Sequence, residues 1–120
     1  MFNQYETVFI LTPVLSEAQA KDAVEKFRKI LTDNGAEIVH EDAMGLRKLA
    51  YPIQNKNTGF YHLIEFKAAG SVINTLEIEY KRDERILRFL TIALDKHAIA
   101  YNERKRKGLL GKKQEATAAN

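Results

Sequence analysis

Gly45-Leu46-Arg47-Lys48-Leu49-Ala50-Tyr51-Pro52-Ile53 holds two adjacent cations, two leucines, a tyrosine and a proline in nine residues. Upstream, Ile38, His40, Asp42 and Met44 are expected on one side of an extended chain, because strand side chains alternate. Beyond Gly45 the apolar residues Leu49 and Tyr51 fall on the odd positions instead. A change of phase at a glycine predicts a β-bulge or a sharp bend. Pro52, lacking the N–H that a ladder needs, is expected to stop the strand. The run therefore reads as the distal half of a long, bent edge strand displaying Arg47 and Lys48. Those two cations are either gatekeepers against edge pairing or contacts for an anionic partner, and residue chemistry leaves both open.

Working outward, Ala36–Tyr51 is one long strand, 54–58 a polar loop closing a hairpin, and 59–67 the next strand. In that strand Phe60, His62, Ile64 and Phe66 point one way. Tyr5–Thr12 is apolar on both faces, as a central strand should be. Ser16 and Gln19 have capping-box spacing. Ala20, Ala23, Val24, Phe27, Ile30 and Leu31 follow as one helical stripe, and Asn34-Gly35 is a stop. A second helix starts at Gly70-Ser71, with Ser71 as its expected N-cap, and buries Val72, Ile73, Leu76 and Tyr80. Residues 85–94 form the last strand, where Arg88 interrupts Ile86, Leu90 and Ile92. The order β-α-β-β-α-β is the split βαβ arrangement. We expect an α+β, ferredoxin-like fold: a four-stranded antiparallel sheet, strands one and three central, with two helices on one face. The other face is left partly apolar, which suits a partner. Residues 1–95 read as the domain. Residues 96–120 read as a basic, mobile tail, with a short helix over 98–107 and no fixed structure from Gly108 on unless a partner orders it.

The same stretch carries a resemblance. Residues 45–53 are similar to the signature of the bacterial small-subunit ribosomal protein S6 family, two basic residues followed by Leu-Ala-Tyr-Pro-Ile. Tyr5-Glu6 ahead of an apolar strand, Gly59-Phe60-Tyr61 and Arg88 also resemble it, over 1–94. The resemblance implies a cytoplasmic, structural component of the small ribosomal subunit. Such a protein binds small-subunit ribosomal RNA in the central domain, together with protein eighteen of that subunit. Arg47, Lys48 and Arg88 are the implied contacts. Family members often place arginines just before the Tyr-Glu pair, whereas this chain has Asn3 and Gln4.

Composition agrees with a binding role. The 120 residues suit one domain, and the absence of cysteine rules out disulfides and thiolate metal sites. No apolar run approaches a membrane span, and the start lacks the features of a signal peptide. The net charge of +3 is uneven. Residues 1–102 hold 13 Lys and Arg against 14 Asp and Glu, net −1, and residues 103–120 hold six against two, net +4. A basic end on a neutral body is a footprint of nucleic-acid contact, although membrane surfaces attract the same charge.

Catalytic patterns are missing. His40, His62 and His97 make no helical ligand pair, though His40 and His62 are expected to face each other across neighbouring strands. Glu41-Asp42, read as solvated in a bend, and Asp83-Glu84 point apart as sequence neighbours. There is no phosphate-binding glycine loop and no nucleophile elbow. The third strand departs from the RNA-recognition-motif signature, so Phe60 and Phe66 read as core. An acylphosphatase-like enzyme is the alternative class. The expected RNA or partner contacts are Arg47, Lys48, Arg82, Arg85, Arg88, Lys96, Arg104, Lys105, Arg106 and Lys107. Arg88 is the most telling, since a cation inside an apolar strand needs solvent, a carboxylate or a partner. No cofactor, metal or small-molecule substrate is expected.

Overall fold

The computed structural model describes residues 2–106. The expectations for Lys107 and for the end beyond Gly108 lie outside them. The elements run β1 (Phe2–Leu11), α1 (Glu17–Asp33), β2 (Glu37–Ile53), β3 (Lys56–Ala69), α2 (Gly70–Arg82), β4 (Ile86–Ala93) and α3 (Lys96–Arg106). The strands form one antiparallel sheet in the order β2-β3-β1-β4, so strands one and three are central, as expected.

Alternation sorts the central strands. Thr7, Phe9 and Leu11 of β1 and Ile64, Phe66 and Ala68 of β3 face α1 and α2. There they meet Ala23, Phe27 and Leu31 of α1 and Val72, Leu76 and Tyr80 of α2. Phe9, Phe27 and Tyr80 form an aromatic knot with ring centroids 4.7–5.4 Å apart. Fully burying each such side chain contributes roughly 1.5–3 kcal/mol. The Tyr80 hydroxyl is not stranded in this core, because it shares a 3.0 Å hydrogen bond with Thr7, whose Oγ1 also meets Thr91 at 2.9 Å. Burial holds the Tyr80 phenol above its ordinary pKa.

The capping box at Ser16 and Gln19 is present, with both reciprocal hydrogen bonds. At the other end of α1, Ala36 N–H donates to Leu31 and Gly35 N–H to Thr32, the paired bonds of a Schellman motif. Helix α2 corrects the sequence reading: it starts at Gly70 and its N-cap is Ala69, with no side-chain cap, so Ser71 lies inside the first turn.

β2 departs most from simple alternation. Ile38 pairs with Phe66 but His40 pairs with Glu65, so Val39 is an extra residue. The bulge there moves His40 and Asp42 to the open face and Glu41 and Ala43 to the helix face, so Ile38 does not share a side with His40 and Asp42. A second bulge separates Ala43, opposite His62, from Gly45, opposite Tyr61. Gly45 takes φ +80°, as the phase change predicted. The strand does not stop at Pro52. It runs on to Ile53, and no ladder partner is assigned between Lys48 and Ile53, so the missing N–H breaks no pair. The hairpin closes with Ile53 opposite Lys56 around Gln54 and Asn55, both at positive φ. That is a two-residue type I′ turn, tighter than the loop expected.

The open face is not bare. Glu6 and Glu65 lie opposite each other on it, and Asn102 of α3 donates to both at 3.4 Å. A third helix thus crosses the face that two helices were expected to leave free.

Candidate nucleic-acid and partner interface

The distal half of β2 is shaped by a glycine on its neighbour. A Cβ on Gly59 would lie 2.4 Å from Ile10 Cγ2, 3.1 Å from the Leu11 carbonyl oxygen and 3.7 Å from Leu49 Cδ2. The missing Cβ lets Ile10 and the Leu11 backbone close in on Gly59, and Leu49 is buried beside them where β2 leans over β3 toward β1. The lean carries Tyr51 across the end of the sheet to Arg88. The Arg88 guanidinium donates to the Tyr51 hydroxyl and sits 5.5 Å from its ring centre. Arg88 is opposite Ile10 on β4, so the two outer strands of the sheet are joined across its end. Of the open alternatives for Arg88, no carboxylate lies within ion-pair distance among the described residues; Tyr51 meets the guanidinium instead and leaves its charge unneutralised.

Arg47 stands opposite Gly59 and Lys48 opposite Thr58, both exposed. Arg47 Nε donates to the Met44 carbonyl at 3.1 Å, which pins the second bulge. Neither cation has a carboxylate within ion-pair distance among the described residues. Arg82 and Arg85 reach the same end of the sheet, since the Arg85 carbonyl accepts from Thr12 N–H. They are less available. Arg82 sits 3.8 Å from Glu79, and Arg85 grips Asp83 at 2.7 and 3.0 Å. Those bonds, with a further one from Lys26 at 3.0 Å, hold the Asp83 carboxyl well below the usual carboxylate range.

Lys96, Arg104 and Lys105 belong elsewhere, on α3. Lys105 lines a cleft of about 560 Å³ with Glu6, His40, Asp42, Leu63, Glu65 and Asn102. The floor of that cleft is therefore acidic, whereas Arg47, Lys48 and Arg88 at the sheet end have no carboxylate within ion-pair distance among the described residues. Arg106 is the last residue of α3. The cations therefore divide into one group at the sheet end and one along α3.

Sequence reading missed a polar cluster. Glu41, expected in solvent, accepts from Arg28 at 2.7 and 2.9 Å and pairs with His62 Nε2 at 2.9 Å. The Arg28 bonds hold its carboxyl below the ordinary value. His62 is only 7% exposed on the helix face, while His40 is on the open face, so the two histidines do not meet. Only the bulge at Val39 could have signalled this, and nothing in the residue itself marks it. No group of three metal-binding side chains occurs among the described residues. No described helix is long and apolar enough to cross a membrane.

A four-stranded antiparallel sheet with α1 and α2 on one face and α3 against the other, and with exposed cations at one end, is an α+β domain of the ferredoxin-like class. A profile described as "Ribosomal protein S6" matches residues 4–93. The chain is 61% identical over 113 residues to the small ribosomal subunit protein bS6 of Phocaeicola vulgatus, covering 94% of this chain and 99% of that one. It is also 61% identical over 104 residues to the bS6 of Flavobacterium johnsoniae, covering 87% and 92%. The crystal structure of 30S ribosomal protein S6 from Thermotoga maritima superposes with TM-score 0.78 at 30% identity, covering 89% of this chain and 99% of that one. The chain belongs to the ribosomal protein S6 family of the small ribosomal subunit. It is a structural protein of the cytoplasmic ribosome, and the enzyme alternative falls with that membership.

Proposed function

We propose that this chain binds small-subunit ribosomal RNA together with protein eighteen of that subunit, and that Arg47, Lys48 and Arg88 are its principal phosphate contacts. The observation that carries the reading is the Arg88–Tyr51 link, which gathers cations from both outer strands at one end of the sheet with their charges unspent. Arg82 and Arg85 flank that end. Lys96, Arg104, Lys105, Arg106 and Lys107 would add a second basic track on residues 96–120, proposed as a separate basic tail beyond the domain. Exposed Leu90 and Ile92 beside Arg88 offer apolar surface to the protein partner. Such cations position the backbone, while RNA shape and 2′-hydroxyls select the site.

With a body of net charge −1, the chain alone should bind a central-domain RNA fragment weakly, and protein eighteen should raise the affinity at least about tenfold, one decade being ~1.4 kcal/mol. Replacing Arg47, Lys48 and Arg88 by alanine should flatten the salt slope by about 2 to 3, since each duplex phosphate contributes about 0.9. Filter binding across a salt series measures both. Equal affinity with and without the partner, or an unchanged slope in the triple variant, rejects the reading.

A further inference from the structure

Tyr51 is a ring that the fold fixes in the open. No ladder partner is assigned to β2 between Lys48 and Ile53, so the ladder does not hold residues 49–52. Two side chains hold them instead: Leu49 is buried, and the Tyr51 hydroxyl accepts from the Arg88 guanidinium. Pro52, with its locked φ, stiffens the backbone beside the ring. With its tip tied to Arg88, Tyr51 is still 49% exposed. A tyrosine has only two side-chain torsions, so a ring already held costs little more to bury.

Its surroundings say what it suits. Arg88 lies 5.5 Å from the ring centre, and Arg47 and Lys48 are exposed on the same strand. None of the three has a carboxylate within ion-pair distance among the described residues. Arg47 is four residues from Tyr51, at most about 14 Å along an extended chain. An apolar protein surface laid on the ring would bury unpaired charge beside it, which is costly. A polyanion with flat aromatic groups gains from both, since phosphates meet the cations and a base meets the ring. Bases within a duplex are already stacked, so the ring can take only an unpaired one. The RNA-recognition motif has the same topology but sets its rings on the first and third strands. Here Phe60 and Phe66 of β3 pack into the core, and the exposed ring comes from the edge strand β2.

We propose that Tyr51 is a stacking platform for one unpaired base of the RNA, with Arg88 at its edge and Arg47 and Lys48 on neighbouring phosphates. The inference rests on the RNA reading above and adds what that site selects. The cations hold any RNA backbone, while Tyr51 favours a strand with a base free of the helix. The ring is uncharged, so its contribution is far less sensitive to salt than that of the cations.

The chain has no tryptophan, so Tyr51→Trp places a single reporter in the full-length protein. At low salt, single-stranded oligoadenylate should quench its fluorescence, and a blunt RNA duplex of equal length should not. Tyr51→Leu should bind the single strand at least about fivefold more weakly than wild type, the lower end of what one stacked base contributes. Its salt slope and its affinity for the duplex should stay those of wild type, since no phosphate contact is lost. Tyr51→Phe, which frees Arg88 but keeps the ring, should bind as wild type. No quenching by the single strand, or equal quenching by both RNAs, overturns the platform. So does Tyr51→Phe as weak as Tyr51→Leu, which would make Tyr51 a positioning residue for Arg88. Tyr51→Leu that keeps its affinity for the single strand but loses protein eighteen in the absence of RNA would give the ring to the protein partner, and also overturns it. The proposed function fails separately: an unchanged salt slope in the alanine triple variant of Arg47, Lys48 and Arg88 would sink the phosphate contacts, while selective quenching of Tyr51→Trp would leave the platform standing.

Discussion

Gly59→Ala should do more harm than any alanine at an exposed strand position. The added methyl would sit 2.4 Å from Ile10 Cγ2, about 1 Å inside ordinary contact, with the Leu11 carbonyl at 3.1 Å closing the other side. Ile10 is β-branched, so it cannot swing clear by a cheap rotation. Something in the backbone must give, and overpacking of this kind costs typically 1–3 kcal/mol. At about 2 kcal/mol, a domain of this size should melt roughly 10 °C lower. The neighbours that must move are Ile10 and the Leu11 backbone, and because Ile10 is opposite Arg88 the shift should disturb the Arg88–Tyr51 contact, which the Arg88 Nε–H signal reports by NMR. Ile10→Ala removes the obstructing methyl, so Gly59→Ala should cost much less in that background. Gly45→Ala is the control: no atom lies within 4 Å of its added Cβ, and only its φ of +80° resists, costing about 1 kcal/mol with Tyr51 still on Arg88. A Gly59→Ala melt within about 2 °C of wild type, or strict additivity with Ile10→Ala, would refute the close-approach argument.

Two further predictions concern half-buried carboxylates. Asp83→Asn should cost about 2 kcal/mol at pH 7, less than a fully buried pair because Lys26 and Arg85 are each about a third exposed. The folded-state pKa of Asp83 is depressed, so its contribution is complete above the unfolded value of about 3.9 and is lost as pH falls toward the folded one. Urea midpoints of wild type and variant should therefore converge in acid, and a constant gap from pH 7 to pH 3 would contradict the assignment. Glu41→Gln should cost about 1–2 kcal/mol by loosening Arg28 of α1 and His62 of β3 together, again with the loss confined above the ordinary carboxylate range. A destabilisation that persists undiminished in acid would show that the ionised carboxylate is not the link.

Local signals were readable and distant ones were not. The element order, the capping box at Ser16, the central place of β1 and the bulge at Gly45 each follow from a few neighbouring residues. The bulge at Val39 has no such mark, because an ordinary valine there suits a regular strand equally well. Everything it reverses was misplaced with it, including Glu41, half-buried between Arg28 and His62, and His40, turned away from His62. The type I′ turn at Gln54-Asn55 lacks the glycine that usually announces it. Arg47, Lys48 and Arg88 were legible as exposed cations on strands. That Tyr51 spans the sheet end to meet Arg88 joins residues 37 apart in sequence, and no run of neighbouring residues encodes it.

The pair of bulges in β2 also makes the strand forgiving of changes in length. Downstream of each bulge the partners on β3 are set by the ladder, not by the count of residues upstream. Deleting Met44 would leave Gly45 opposite Tyr61 and Arg47 opposite Gly59, with a straighter strand between. Losing Val39 would likewise spare the pairing of His40 with Glu65. An edge strand of 17 residues thus carries two slack positions, and a one-residue insertion or deletion in a lineage can be taken up there while the cations at the sheet end stay where they are.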